Sequence, residues 1–98
     1  MSDPSTPGQK RLIYRLHAVQ RMLTRGISEA DIAQIVAQGK AIEDYPSDWP
    51  YPSKLVLGWL ESRPIHVVFA ESSHEIIVIT VYEPDPNLWE SGFEKRKP

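Results

Sequence analysis

The sequence predicts one α+β domain, in which two N-terminal helices pack on an antiparallel sheet of four to five strands. Up to about residue 39 the apolar residues recur every three or four positions, as on the buried face of a helix. From Lys40 onwards the period changes to two, which is typical of strands. The chain has 98 residues, 41% of them hydrophobic, which is enough for one core and too few for a two-domain enzyme.

The helices are predicted from their end signals. The first is expected over residues 17–25, and Gly26 then provides a left-handed C-cap. Before it, residues 11–16 alternate weakly and are either a short strand or the entry to the helix. The second helix begins after Ser28, an N-cap with an acid three residues further on as in a capping box, and ends at Gly39.

Four strands are predicted after the helices. Residues 46–52 contain three prolines and are excluded from regular structure, because proline lacks an N–H donor and restricts its neighbour. Short turns separate the last three strands, which makes them antiparallel neighbours. The last strand is almost continuously apolar, as expected of a central strand covered on both faces. The strands are expected at residues 41–45, 54–61, 64–71 and 75–83.

The domain is expected to span residues 10–94, between a disordered leader at 1–9 and a basic tail at 95–98. Trp89 and Phe93 are expected to anchor the end of the domain. Eight side chains are predicted to form the core: Met22, Ile32, Ile35, Leu57, Val67, Phe69, Val78 and Ile79.

Several classes of site are disfavoured by composition. The chain has no cysteine, so it forms no disulfide or cysteine–zinc site, and a cytoplasmic location is expected. No apolar stretch approaches the roughly 18 residues of a membrane span. Its three histidines lack the i, i+4 spacing of a helical metal site, and no glycine-rich phosphate loop is present. We therefore expect no metal, no cofactor and no membrane contact.

Charge is distributed unevenly along the chain. The net charge of −2 alone argues against a general nucleic-acid binder. However, residues 10–25 carry five basic side chains and no acid, and residues 95–97 add three more. Residues 26–94 carry twelve acids against three bases. Anion binding is therefore predicted near the two ends of the domain.

The most informative pattern is a basic ridge on the first helix. His17, Arg21 and Arg25 recur every four residues, so they lie along one side of a helix. An imidazole titrates near neutral pH and can transfer a proton, whereas guanidinium groups bind phosphate oxygens. The alternatives are that His17 makes a structural hydrogen bond at the helix start and that the arginines form a solvated face or pair with acids.

A second candidate pair lies in the strands. His66, within an apolar strand, is either a core histidine with a satisfied hydrogen bond or an acid–base group. Tyr82 is either an aromatic at the edge of the core or a phenol that binds phosphate. A two-residue turn between their strands would place them on opposite faces, whereas a three-residue turn would bring them together. The sequence leaves both arrangements open.

Four segments in this order and spacing carry a family resemblance: His17-Ala-x-x-Arg21-Met-x-x-Arg25-Gly-Ile-Ser, Gly39-x-x-Ile-Glu43-x-Tyr-Pro46, Arg63-Pro-Ile-His66-Val-Val and Ile79-Thr-Val-Tyr82-Glu-Pro-Asp85. They resemble a small bacterial domain-of-unknown-function family, numbered 4258, over about residues 14–94. Its layout is similar to the compact ribonuclease fold of RelE- and MqsR-type toxins, which are often encoded beside a small antitoxin.

The resemblance implies a toxin-type endoribonuclease that cleaves RNA without metal or cofactor, with RNA and a small antitoxin protein as partners. His17 or His66 would take the proton of the ribose 2′-OH, and Tyr82 would orient the phosphate. The expected catalytic residues are His17, Arg21, His66 and Tyr82. The expected phosphate-binding residues are Arg25, Arg63, Lys95 and Arg96. The alternative is a non-catalytic module that binds an acidic protein partner or nucleic acid.

Overall fold

The computed structural model describes residues 10–98, so the expected leader at 1–9 lies outside the described residues. The two predicted helices and four predicted strands are present with small shifts at their ends, and a further strand precedes them. Their bounds are β1 Arg11–Tyr14, α1 Leu16–Arg25, α2 Glu29–Gln38, β2 Lys40–Tyr45, β3 Ser53–Leu60, β4 Arg63–Glu71 and β5 Glu75–Tyr82.

The five strands form one mixed sheet in the order β1-β5-β4-β3-β2. Adjacent strands from β2 to β5 pair antiparallel to one another, but β1 pairs in parallel with β5. The predictions of a wholly antiparallel sheet and of helices preceding the strands are therefore wrong. A parallel pair needs a long crossover, and everything from α1 to β4 supplies it. The four residues of β1 are too few for their periodicity to show this pairing.

Both helices pack on the same face of the sheet. Their buried residues, among them Ala18, Met22 and Ile32, form one cluster with Ile65 and Val67 of β4. Neither helix, nor any other in the described part, is long and apolar enough to cross a membrane. The fold therefore has one helical layer, and the opposite sheet face remains for other parts of the chain.

Most of the predicted core is confirmed. Seven of the eight predicted residues are buried, and Ile79 is the exception. Ile79 is half-buried because it is the extra residue of a β-bulge, where Val68 pairs with Thr80 and the next residue of β4 pairs with Val78. The prediction that β5 is covered on both faces is confirmed in part: Val78 and Val81 are buried, and its other residues are partly buried.

The predicted helix ends are confirmed. Gly26 ends α1 with φ 68°, in the left-handed region that glycine adopts without strain. Ser28 accepts a hydrogen bond from the Asp31 N–H, and its own N–H donates to the Asp31 carboxylate. This capping box fixes the start of α2 directly after the end of α1.

Ile35 of helix α2 packs directly against Gly58 of β3. A Cβ atom at this position would lie 2.5 Å from Ile35 Cγ1 and 2.7 Å from Ile35 Cγ2. Gly58→Ala is therefore expected to lower the free energy of unfolding by about 1–3 kcal/mol, because it overpacks the contact. Urea denaturation measures this loss.

The double variant Gly58→Ala/Ile35→Ala provides the control for that contact. Removal of both Cγ atoms of Ile35 makes room for the new methyl group. The double variant is therefore expected to lose less free energy of unfolding than the sum of the losses of the two single variants. Additive losses would contradict the close contact between α2 and β3.

The C-terminal segment, residues 84–98, lies on the face opposite the helices. As predicted, Trp89 anchors it and is buried, while Phe93 is half-buried. The segment folds back on itself: Glu90 N–H donates to Lys95 O at 2.8 Å and Lys97 N–H to Leu88 O at 2.9 Å. It covers part of the sheet face that the helices leave open.

Candidate nucleic-acid interface

The basic ridge of α1, formed by His17, Arg21 and Arg25, lies on the outer surface of the helical layer. All three side chains are exposed, whereas Ala18 and Met22 of the same helix are buried against the sheet. Successive members are separated by about 6 Å along the helix axis, because the rise is about 1.5 Å per residue. The predicted exposed ridge is therefore present.

Two of the three ridge side chains have no acidic neighbour in the part of the chain that the structure describes. Within residues 10–98, neither the His17 imidazole nor the Arg21 guanidinium forms an ion pair or a hydrogen bond, although the Arg21 carbonyl accepts from Thr24. Arg25 Nη1 lies 3.9 Å from Glu83 Oε1, a long contact for an ion pair. The interpretation that acids neutralise the ridge therefore applies only to its C-terminal end.

Arg63, at the start of β4, connects that end of the ridge to the sheet. Its Nη2 donates to the Arg25 carbonyl at 2.9 Å and to Glu83 Oε1 at 2.9 Å. Arg63 was predicted to bind phosphate, but the carboxylate of Glu83 already offsets its charge. The contact fixes the end of α1 relative to β4 and β5.

His66 and Tyr82 lie side by side on the other face of the sheet. His66 is fully buried, and its Nδ1 lies 3.1 Å from the Tyr82 hydroxyl. Its Nε2 lies 2.9 Å from the carbonyl oxygen of Phe93, which can only accept, so Nε2–H donates there. Nδ1 then accepts from Tyr82, and both ring nitrogens are engaged.

The β-bulge explains why the two side chains share a face. The turn between β4 and β5 is tight, since Ser72 N–H donates to Glu75 O at 2.9 Å. A tight turn alone would place His66 opposite Val81. The extra residue Ile79 shifts the register by one, and His66 pairs with Tyr82 instead.

The four predicted catalytic residues do not form one cluster. Ile65 and Val67 point into the core under the helices, so His66 between them points to the opposite face. His17 and Arg21 belong to a helix on the first face. The sheet therefore separates His17 and Arg21 from His66 and Tyr82.

Arg96 is engaged by an acid, although it was predicted to bind phosphate. Its Nε donates to Glu43 Oε2 at 2.9 Å and its Nη2 to Glu43 Oε1 at 3.1 Å. Its guanidinium lies over the Trp89 ring, 4.6 Å from the ring centroid. The neighbouring Lys95 is exposed at the surface.

The family described as "Domain of unknown function (DUF4258)" matches residues 14–83. The chain belongs to this family. The matched region includes the ridge and the strands that carry His66 and Tyr82, and it ends before the C-terminal segment. No curated protein and no solved structure matches the chain.

Sequence reasoning missed the polar residues that surround His66 in this DUF4258 domain. Glu43 and Tyr45 lie two residues apart on β2, and Tyr45 donates a hydrogen bond to the Glu43 carboxylate. Burial, followed by that hydrogen bond, raises the pKa of Tyr45 to about 12. The hydrogen bonds from Arg96 lower the pKa of Glu43. Glu43 and Tyr45 are two positions apart in a predicted strand, so the sequence already indicated that they lie on the same face.

Acid is expected to destabilise the DUF4258 domain through His66. Burial, opposed by the hydrogen bond to Phe93, lowers the pKa of His66 below its ordinary value of 6.5. As pH falls through 6.5, His66 binds a proton in the unfolded chain but not in the folded chain. The free energy of unfolding therefore decreases as pH falls towards the folded-state pKa of His66.

Urea denaturation at about pH 7 and pH 5 measures this loss. His66→Gln is expected to flatten the difference between the two pH values. His74→Gln, in an exposed turn, controls for the removal of one histidine. A difference of the same size in wild type and His66→Gln would contradict the account.

Proposed function

We propose that this DUF4258 domain is a toxin-type endoribonuclease that binds RNA along the basic ridge and cleaves it without a metal ion. One observation carries the proposal: His17 and Arg21 are exposed on one side of α1 and have no carboxylate partner among the described residues. An imidazole and a guanidinium that pair with no carboxylate, held four residues apart on a packed helix, suit proton transfer beside a bound phosphate.

The proposed reaction is attack of a ribose 2′-OH on the adjacent phosphorus. His17 accepts the 2′-OH proton as the O2′–P bond forms, and the P–O5′ bond breaks. The leaving O5′ takes a proton from water, which gives a 2′,3′-cyclic phosphate and a 5′-OH end. Arg21 stabilises the negative charge that develops on the phosphoryl oxygens.

The ridge also suits an extended RNA strand. Arg21 and Arg25 are about 6 Å apart along the helix axis, a separation comparable with that of successive phosphates in an extended strand. Arg25 would bind the phosphate next to the reacting one, and Arg63 would position Arg25 through its main-chain carbonyl. His66 and Tyr82 have no place in this step, because the sheet separates them from the ridge.

Cleavage of an RNA oligonucleotide by the purified chain in EDTA tests the proposal. Wild type is expected to produce cyclic-phosphate and 5′-OH ends. Arg21→Ala is expected to cleave about 10- to 100-fold more slowly, because a hydrogen bond to a charged group contributes about 1.5–3 kcal/mol. Arg11→Ala is the matched control, since Arg11 is exposed but pairs with Glu75 at the start of β1. Absence of cleavage by wild type, or equal rates for the two variants, would refute the proposal.

A second candidate function is binding of an acidic protein partner without catalysis. It is favoured by Leu16 and Leu23, two largely exposed leucines of α1 that lie on the opposite flank of the helix from the ridge. A helix that exposes apolar side chains along one flank and cations along the other suits a protein contact, such as a small antitoxin. Under this candidate Arg21→Ala weakens partner binding, His17→Ala has little effect, and neither wild type nor variant cleaves RNA.

A further inference from the structure

The guanidinium of Arg96 lies in a slot on the sheet face opposite the ridge. The Glu43 carboxylate forms one wall of this slot and the Trp89 ring forms the other. The Arg96 side chain is 58% exposed, whereas that of Glu43 is 25% exposed. The arginine thus covers a carboxylate and an indole ring that lie beneath it.

Both walls of the slot make contacts that do not involve the Arg96 side chain, although the main chain of Arg96 pairs with Trp89. Trp89 is buried, and its ring packs edge-on against the ring of His66, with 4.5 Å between centroids. His66 is itself fixed by Tyr82 and by the carbonyl of Phe93. The hydroxyl of Tyr45 donates to Glu43. We therefore expect the carboxylate and the ring to keep their positions when the Arg96 side chain moves away.

We propose that this slot binds a guanine base and that Arg96 is an internal occupant which the base displaces. Guanine presents two adjacent donors, N1–H and the 2-amino group, in the plane of an aromatic ring. These donors match the bidentate geometry that Arg96 makes with the two oxygens of Glu43. The base would stack on Trp89, where the guanidinium now lies.

The carboxylate selects guanine over the other bases. Adenine and cytosine present a ring nitrogen lone pair beside their amino group, and this lone pair would repel an oxygen of Glu43. Uracil has one N–H between two carbonyl oxygens, which repel the carboxylate in the same way. Only guanine offers two donors side by side, so the site distinguishes bases by unpaired acceptors as well as by hydrogen bonds.

Displacement of Arg96 breaks its two hydrogen bonds to Glu43 and its contact with Trp89, and the incoming base replaces both. The Arg96 side chain is more than half exposed, so water solvates the released guanidinium. The site is independent of the proposed cleavage, since it lies on the opposite face from the ridge and uses none of its residues.

Titration calorimetry with the full chain tests the site, with guanosine, inosine and adenosine as probes. These nucleosides carry no phosphate, so they avoid the basic ridge. Arg96→Ala is expected to bind guanosine about tenfold more tightly than wild type does, because the competing occupant is gone. Inosine, which lacks the 2-amino group, is expected to bind about tenfold more weakly than guanosine, and adenosine more weakly still.

Variants of the slot and of the ridge show which surface binds the nucleoside. Arg96→Gln repeats the titration with a longer side chain, in case Arg96→Ala fails to fold. When Glu43→Gln is combined with Arg96→Ala, the preference for guanosine is expected to disappear. When Arg21→Ala is combined with Arg96→Ala, the preference is expected to stay unchanged. Equal binding of guanosine and adenosine by the folded Arg96 variants, or no binding at all, would overturn the proposal. Agmatine bound as tightly as guanosine would also overturn it, since the slot would then recognise any guanidinium.

Discussion

His17→Ala is expected to slow RNA cleavage by about 100- to 10,000-fold, the usual contribution of a general base. The side chain is exposed and packs against nothing in the core, so the free energy of unfolding should change by no more than about 0.5 kcal/mol. Single-turnover cleavage in EDTA measures the rate, and urea denaturation measures the stability.

His74→Ala is the matched control for that experiment. His74 is also exposed, but it lies in the turn between β4 and β5, away from the ridge. We expect it to cleave RNA at the wild-type rate. Equal rates for His17→Ala and wild type would contradict the role assigned to the imidazole.

Trp89→Ala is expected to lower the free energy of unfolding by about 3–5 kcal/mol, because it leaves a large cavity beneath the C-terminal segment. The loss includes the contact with His66 and the surface on which Arg96 lies. For a domain with about 5–15 kcal/mol of total stability, this is a large fraction. Urea denaturation, followed by circular dichroism, measures it.

Trp49→Ala provides the control for tryptophan removal. Trp49 is 90% exposed in the proline-rich loop between β2 and β3, and its removal is expected to change stability by no more than about 0.5 kcal/mol. Similar losses for the two variants would contradict the assignment of Trp89 as the anchor of the segment.

Features that depend on neighbouring residues in the sequence were predictable. The capping box at Ser28, the left-handed turn at Gly26 and the exposed ridge each follow from spacings of three or four residues. Such spacings are set by helix geometry alone. The structure therefore confirms all three.

Features that depend on register between distant strands were not predictable. The parallel pairing of β1 with β5 joins residues more than 60 positions apart. The bulge at Ile79 decides which face Tyr82 shares, and no local pattern in an almost continuously apolar strand reveals it. The pairing of Arg96 with Glu43 likewise joins two residues 53 positions apart.

The candidate site was predicted in part for the same reason. His17 and Arg21 lie on one helix, so their proximity follows from the sequence. His66 and Tyr82 could join them only through tertiary packing, and alternation along β4 places His66 on the other face. The sequence left open whether His66 and Tyr82 share a face with His17, and the structure places the two pairs on opposite faces of the sheet.

Amide NMR mapping of RNA binding tests the central claim most directly. The ligand is a uridine oligonucleotide with 2′-O-methyl groups, which blocks cleavage and offers no guanine to the slot at Glu43. We expect saturable chemical-shift changes along α1, centred on Arg21, and none at His66 or Tyr82. Shift changes that are absent from α1, or that persist unchanged in Arg21→Glu, would contradict the basic ridge as the RNA-binding surface.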